Sequence, residues 1–296
     1  MSAPIKVDDV GEIADRLRST GYLCGPDLAT TTYLAIRMGR PLLLEGEPGT
    51  GKTALAEALA DAWQVPLVRL QCYEGIDVTQ ALYDWDFPRQ VLHLRAMEAN
   101  GKASSTGLEH ADKGLYDERF LLARPVLAAL QQSPSVLLID EVDRADDEFE
   151  AFLLEVLSTF QVTIPEFGTV SAAVPPVVVL TSNRTRELHD ALKRRCLYHW
   201  VDHPSLDGEV AIVRSRAPEV SASLVQQVAG FVQQLREEAQ LVKPPGVAES
   251  LDWARALHHL GATELNLENA AASLGALVKY REDADRLRAS LESMLS

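Results

Sequence analysis

A chain of 296 residues, 47% of them hydrophobic, can bury one large core or two smaller ones, and two domains is the expectation. Its formal net charge of -15 argues against a broad nucleic-acid footprint, which needs clustered Lys and Arg to displace counterions. No run approaches the roughly 20 apolar residues of a membrane span, the first ten residues carry Lys and Asp rather than a charged-then-apolar leader, and Cys24, Cys72 and Cys196 lack any C-x-x-C spacing. A soluble, cytoplasmic chain without disulfides or zinc is therefore expected.

In chain order, Val10, Ile13 and Leu17 recur at helical spacing after Asp8-Asp9, and Thr20-Gly21 ends that helix. Pro26 suits a first helical position and opens a second helix reaching about Met38. Between them, Tyr22 and Leu23 lie in a turn that can pass over a nucleotide base; adenine contact and ordinary packing both fit these residues.

The apolar Leu42-Leu43-Leu44 leads into Gly46-Glu47-Pro48-Gly49-Thr50-Gly51-Lys52-Thr53, and Ala54, Leu55 and Leu59 begin the helix that follows. The spacing G-x-x-x-x-G-K-[ST] lets backbone N–H groups curl round a phosphate, places Lys52 on the outer phosphates and offers the Thr53 hydroxyl to Mg²⁺. The following helix adds the positive end of its dipole. Pro66 to Gln71 reads as the second strand of a parallel sheet.

Residues 77–132 are less regular. Their pattern predicts a helix from Val78 to Tyr83, a short strand within Trp85 to Leu94, and a polar, mobile stretch from Ala99 to Gly114 containing Gly101, Ser104, Ser105 and Gly107. A helix from Glu118 to Gln132, bent or restarted at Pro125, would follow. The whole reads as an insertion within the second helix of the sheet domain, and its Tyr83, Trp85 and Phe87 fit either packing or contact with a partner.

Val136-Leu137-Leu138-Ile139 then forms a buried strand with Asp140 and Glu141 at its C-terminal end, where open α/β sheets bind ligands. Asp140 is placed to hold the Mg²⁺ shell, and Glu141 to polarise a water for in-line attack on a γ-phosphate. A helix over Asp146 to Thr159 and a β-hairpin over Phe160 to Val170 precede another buried strand, Val177 to Thr181. That strand ends in Asn183, which suits either a γ-phosphate and its attacking water or a simple cap. Arg186 to Leu192 reads as a short helix closed by Lys193-Arg194-Arg195, just before a fifth strand, Leu197 to Val201. Basic residues there either complement the helix dipole or include an arginine finger for a neighbouring subunit's nucleotide.

His203-Pro204-Ser205 marks a domain boundary, giving residues 1–203 and 204–296. Beyond it only helices are expected: Ser205 to Arg216, Ser221 to Gln240, Ala248 to Leu260, and Leu267 to about Leu295 with a break near Lys279. His258 and His259 are adjacent and point apart, unlike an i, i+4 metal pair.

Taken together, the glycine loop, the Asp-Glu strand, the strand-end Asn, the Arg pair and the helical tail resemble the AAA+ ATPases over roughly residues 20 to 260. Leu138-Ile139-Asp140-Glu141-Val142-Asp143-Arg144-Ala145 and the hairpin resemble the MoxR family. Leu70-Gln71-Cys72-Tyr73-Glu74-Gly75, Ala81-Leu82-Tyr83-Asp84-Trp85, Glu150-Ala151-Phe152-Leu153-Leu154-Glu155 and Thr181-Ser182-Asn183-Arg184-Thr185-Arg186-Glu187-Leu188 are similar to its CoxD-type branch, associated with maturation of molybdenum-containing carbon monoxide dehydrogenase.

The resemblance implies an α/β fold: a P-loop domain with a parallel five-stranded sheet ordered 5-1-4-3-2, an insert over about 84–117, a hairpin before the first sensor, and an all-α lid. It also implies a ring, taken as a hexamer, hydrolysing ATP with Mg²⁺ at its interfaces, a partner with a von Willebrand factor A domain, and a metalloenzyme client. On this chain Gly46 to Thr53 is the Walker A loop, Asp140 and Glu141 the Walker B pair, and Asn183 the first sensor. Arg195 best fits the finger, with Arg194 as the alternate. Where relatives begin a lid helix with Ser-x-Arg, this chain has Ser250-Leu251-Asp252; either Arg255 replaces the missing Arg or the lid senses nucleotide differently. Two alternatives to a remodelling ATPase are an ATP-switched assembly scaffold and a DNA-remodelling ATPase, the latter disfavoured because Thr163 to Val170 contains no Lys or Arg.

Overall fold

Short apolar runs bounded by turn residues become strands, and the computed structural model describes them within residues 6–99, 115–238 and 241–295. The strands are β1 (Leu42–Glu45), β2 (Leu67–Gln71), β3 (Tyr83–Trp85), β4 (Leu121–Ala123), β5 (Val136–Asp140), β6 (Gln161–Ile164), β7 (Gly168–Ser171), β8 (Val177–Ser182) and β9 (Leu197–Trp200). Through the sheet region run helices α1 (Val10–Ser19), α2 (Pro26–Met38), α3 (Lys52–Trp63), α4 (Val78–Ala81), α5 (Phe87–Ala99), α6 (Pro125–Gln131), α7 (Asp147–Thr159) and α8 (Asp190–Arg195). The C-terminal region is helical: α9 (Leu206–Arg216), α10 (Ala222–Glu238), α11 (Val247–His259), α12 (Leu267–Leu277) and α13 (Arg281–Leu295).

The main sheet is parallel, in the order β2-β5-β8-β1-β9. Counting only its own strands, this is the expected 5-1-4-3-2. The apolar runs are continuous because both faces are covered, and alternate residues feed different cores. Leu43, Leu137, Ile139, Val178 and Leu180 join one core with α6, α7 and the β6–β7 hairpin. Leu42, Leu44, Leu138, Val177 and Val179 join the other with α1, α2 and α3. A third core, centred on the fully buried Trp253 with Leu224, Leu274 and Leu287, belongs to the helices after β9.

Four expectations need correction. The strand expected within Trp85 to Leu94 is largely helix α5: Asp86 Oδ1 accepts the Arg89 amide at 3.0 Å, capping a first turn that already holds Pro88. The helix expected over Val78 to Tyr83 stops at Ala81 because Tyr83–Trp85 pairs antiparallel with Leu121–Ala123. That pairing also interrupts the helix expected from Glu118, leaving one 3₁₀ turn (Glu118–Phe120) capped by Asp117 and a helix that begins afresh at Pro125. The short helix before β9 covers Asp190–Arg195 rather than Arg186 to Leu192. The preceding segment is held by Glu150, which accepts from the Arg186 guanidinium and, at 2.9 Å, from the His189 amide. The polar stretch with Gly101, Ser104, Ser105 and Gly107 lies outside the described residues. The hairpin and the break between α12 and α13 stand as expected. Cys24 is half-buried while Cys72 and Cys196 are buried, all as free thiols.

The helical region touches the sheet region at the glycine loop. Val247 N–H donates to the Gly49 carbonyl at 3.0 Å, and a Cβ on Gly246 would meet the Gly49 Cα and O at 2.9 Å. Gly246 is held there from behind: the Arg236 guanidinium donates to the Pro245 carbonyl at 2.7 Å and pairs with buried Glu209 at 2.6 and 2.9 Å. Ser250 also donates to Glu209. Among the described residues no helix is long and apolar enough to cross a membrane.

Candidate active site

A cleft of about 580 Å³ opens at the C-terminal ends of β1, β5 and β8 and is roofed by the helical region. That volume suits a small-molecule ligand. Its floor is Pro48 to Ala54; the Gly21–Leu23 turn forms one wall; Ile212, Arg216, Val247, Leu251 and Arg255 form the roof.

The glycine loop starts under constraint. A Cβ on Gly46 would lie 2.3 Å from the Val201 carbonyl oxygen, so no larger residue fits where β1 turns into the loop. Gly46 and Glu47, expected from the sequence to bind phosphate, are not part of the cleft lining. Buried Lys52 donates to the carbonyls of Gly46 at 2.8 Å and Glu47 at 2.7 Å. Burial pulls its ammonium below the usual lysine range, and the carboxylates of Asp143, Glu47, Asp140 and Glu141 oppose that pull.

Strand register gathers the acidic end of the site. Thr53 Oγ1 donates to Asp140 Oδ1 at 3.1 Å, and Thr181, on the neighbouring strand β8, donates to the same oxygen at 2.5 Å. The Thr181 oxygen also accepts the Glu141 amide at 2.9 Å, so one hydroxyl ties both carboxylate residues to β8. The Arg69 guanidinium reaches Asp140 Oδ2 at 2.5 Å. Asp140 is 3% exposed, and these donors and that cation fill the oxygens of a carboxylate that would otherwise be buried without partners.

Glu141 sits at φ 53°, in the left-handed region that non-glycine residues rarely occupy and that clusters at functional sites. Its carboxylate accepts from Asn183 Nδ2 at 3.2 Å and from Gln71 Nε2 at 3.1 Å, and pairs with Arg144 at 3.0 Å. A carboxylate aimed into the cleft, flanked by an amide that also lines it, is the arrangement a general base requires.

Of the residues singled out from sequence, Pro48 to Ala54, Asp140, Glu141, Asn183, Tyr22 and Leu23 all line this one cleft. Arg194 and Arg195 do not: both are exposed at the end of α8, with their carbonyls held by Arg40 at 2.5 and 3.0 Å. Arg255 lines the roof, donating to the Arg216 carbonyl at 2.6 Å and pairing with Glu219 at 3.3 Å. Asp252 is not part of the lining. Sequence reading passed over Arg69, Gln71, Thr181 and Arg216. The signal for the first two was alternation: Val68 and Leu70 pack inward while Arg69 and Gln71 share the other side of an edge strand whose tip lies beside Asp140.

The sequence pattern of the ATPase family associated with various cellular activities (AAA) matches residues 42–200, more than half of the chain. An uncharacterized protein of Staphylococcus epidermidis is 26% identical over 244 residues, covering 79% of this chain and 82% of that protein. An uncharacterized protein of Staphylococcus aureus is 26% identical over 207 residues, 67% of this chain and 69% of its own length. Among solved structures, one mutant of Thermotoga maritima RuvB aligns with a TM-score of 0.51 at 17% identity, covering 90% of this chain and 74% of that one. That likeness is one of fold.

Proposed function

The chain belongs to the ATPase family associated with various cellular activities, and on that premise we propose that it hydrolyses ATP in the cleft beneath its helical region to remodel a client protein. The observation that carries the proposal is the meeting, in one cleft, of the glycine loop, the Thr53–Asp140 pair and the Glu141–Asn183 pair. In this reading residues 1–203 form the nucleotide-binding domain and 204–296 the lid.

The reaction is phosphoryl transfer to water, in which positioning and charge stabilisation do most of the catalysis. Loop amides and Lys52 bind the phosphates, and Tyr22 and Leu23 flank the adenine. Glu141 takes the proton from the attacking water while Asn183 orients both. Thr53 Oγ1 and Asp140 Oδ1, 3.1 Å apart, are oxygen donors of the kind Mg²⁺ prefers, and too few to hold it without waters and phosphate oxygens. When bound there, Mg²⁺ neutralises charge on the phosphate oxygens.

Arg195, with Arg194 as the alternate, acts on the next copy's nucleotide, since neither reaches the cleft of its own chain. This calls for a ring, and the resemblance supports a cytoplasmic MoxR-type hexamer working with a von Willebrand factor A partner on a metalloenzyme such as carbon monoxide dehydrogenase. The test is phosphate release by the purified protein with Mg²⁺ and ATP, followed by mixing. Lys52→Ala and Arg195→Ala are each expected to be inactive alone, and an equimolar mixture to regain measurable turnover, because some interfaces then pair an intact loop with an intact Arg. A mixture as inactive as its parts would remove the shared site. Assembly on ATP without phosphate release in the wild type would favour a scaffold instead.

Arg69 carries a separate expectation. It is the cation already bonded to Asp140, so removing it leaves a buried carboxylate seeking another. Arg69→Ala is expected to lower the Mg²⁺ concentration for half-maximal nucleotide binding by about 2- to 5-fold, the scale of one solvent-screened ion pair. A raised Mg²⁺ requirement would show that Arg69 serves the nucleotide rather than competing for Asp140.

A further inference from the structure

Asp143 is 2% exposed, yet a buried carboxylate is costly unless its oxygens are filled by donors. Among the described residues, every donor its side chain bonds comes from one short segment. Asp143 Oδ1 accepts the Asn183 amide at 3.3 Å; Oδ2 accepts the Thr185 amide at 2.8 Å and the Thr185 hydroxyl at 2.7 Å. Between those two residues stands Arg184 at φ 55°, a left-handed conformation that strains a non-glycine residue and persists only where its surroundings over-determine it. The bonds to Asp143 fall on both sides of that strained residue. They therefore hold the turn that sets the direction in which Asn183 leaves β8.

From Asn183 the chain of contacts returns to its start. The Asn183 side chain donates to Glu141 Oε1 at 3.2 Å, and Glu141 lies two positions before Asp143 in the chain. Glu141, Asn183 and Asp143 thus close a loop in which each fixes the next. Thr185 Oγ1 also lies 3.3 Å from the Asp143 carbonyl, so the same threonine braces the main chain of that turn. A turn needing only a cap would be served by one acceptor at one amide; here both oxygens of a buried carboxyl side chain are used to hold two amides and a hydroxyl beside the cleft.

We propose that Asp143 is the positioning residue of this site, holding Asn183, and through it Glu141, in the geometry that attack on the γ-phosphate requires. This rests on the hydrolytic reading of the cleft. It predicts an effect confined to the γ-phosphate, because neither Asp143 nor Asn183 belongs to the loop that grips the inner phosphates.

The test is a double-mutant cycle of Asp143→Asn and Asn183→Ala, reading kcat at saturating Mg²⁺ and ATP together with Kd for ADP and for ATPγS. The amide at position 143 turns one acceptor into a donor facing donors, so the turn loses a bond while keeping its volume. Asp143→Asn is expected to lower kcat about tenfold in the wild-type background and less than about twofold in the Asn183→Ala background, the signature of residues acting as a unit. Affinity for ADP stays within about twofold, while preference for ATPγS over ADP falls with kcat.

An equal fall of kcat in both backgrounds, or ADP binding lost in step with kcat, overturns the proposal: Asp143 would then act through folding or through Lys52. If Asp143→Asn does not fold, Thr185→Ala removes one donor from the same anchor, and the cycle runs with it on the same criteria. A wild-type protein without turnover would defeat the hydrolytic reading itself. The ATPγS-to-ADP ratio still decides the role of Asp143 in that case, an unchanged ratio overturning it.

Discussion

Glu141→Gln is expected to lower ATP turnover by about 10²- to 10⁴-fold, the range general-base catalysis supplies, while ATP affinity changes little. The substitution keeps the shape of the side chain, gives up an acceptor oxygen among its contacts with Asn183, Gln71 and Arg144, and removes the charged oxygen that would take the water's proton. The phosphate contacts of the glycine loop and Lys52 are untouched, so binding and chemistry separate. Steady-state phosphate release, set beside a fluorescent-nucleotide titration, reads both quantities. Turnover within a few-fold of wild type would take Glu141 out of its role. Loss of affinity in step with turnover would mean that the charge of Glu141 holds the site together rather than driving a step. The variant should also hold a client bound in the presence of ATP, and mass spectrometry of what stays with it would identify that client.

The second large effect is expected from steric contact rather than from charge. Gly246→Val would press a branched side chain against the main chain of Gly49, which a Cβ alone would meet at 2.9 Å. Gly246 has φ −85°, an ordinary value, so the need for glycine comes from closeness rather than from conformation. Backbone cannot step aside as a flexible side-chain end can. The clash is of the kind that costs about 1–3 kcal/mol in a packed interior, and here the helical region can escape it only by leaving the loop. The Val247–Gly49 hydrogen bond would be lost with it. Nucleotide affinity is expected to fall by about 5- to 150-fold, the factor that this energy sets, and amides at the start of α11 to exchange faster with solvent. Gly246→Ala should show the same changes in smaller measure. Wild-type affinity in the Val variant would mean that the roof does not depend on this contact.

What could be read from sequence, and what could not, follows from how far each feature reaches along the chain. The glycine loop, the Asp140-Glu141 pair and Asn183 were legible because each is a contiguous signal at the end of an apolar run, and the parallel sheet places all such ends on one edge. The bonds from Arg69, Gln71 and Thr181 depend on strand register, which pairs Gln71 with Asp140 and sets Ile139 beside Leu180. Register between distant segments has no local signature. Asp143 was visible as a letter in the stretch after the carboxylate pair, but its partners lie beyond α7 and the hairpin. Residues 85–94 were misread because a few apolar positions suit period 2 and period 3.6 alike; the Asp86 cap decided between them. Lys243-Pro244-Pro245-Gly246 read only as a break, and its docking on Gly49 is a contact between regions that no spacing announces.

The order of the sheet also limits where mechanical work can arise. The glycine loop follows β1, Asn183 follows β8, and Asp140 and Glu141 close β5, and these strands are immediate neighbours. Parallel strands stand about 4.8 Å apart, so the loop lies one such step from Asn183 and two from Asp140, a gauge set by backbone hydrogen bonds. Cleaving a phosphate cannot alter those intervals without tearing the ladder. Any stroke must be delivered to parts outside it: the helical region that meets the loop at Gly246 and, in the proposed ring, the neighbouring copy. In that reading the sheet edge serves as a rigid jig, and movement falls to the pieces bolted to it.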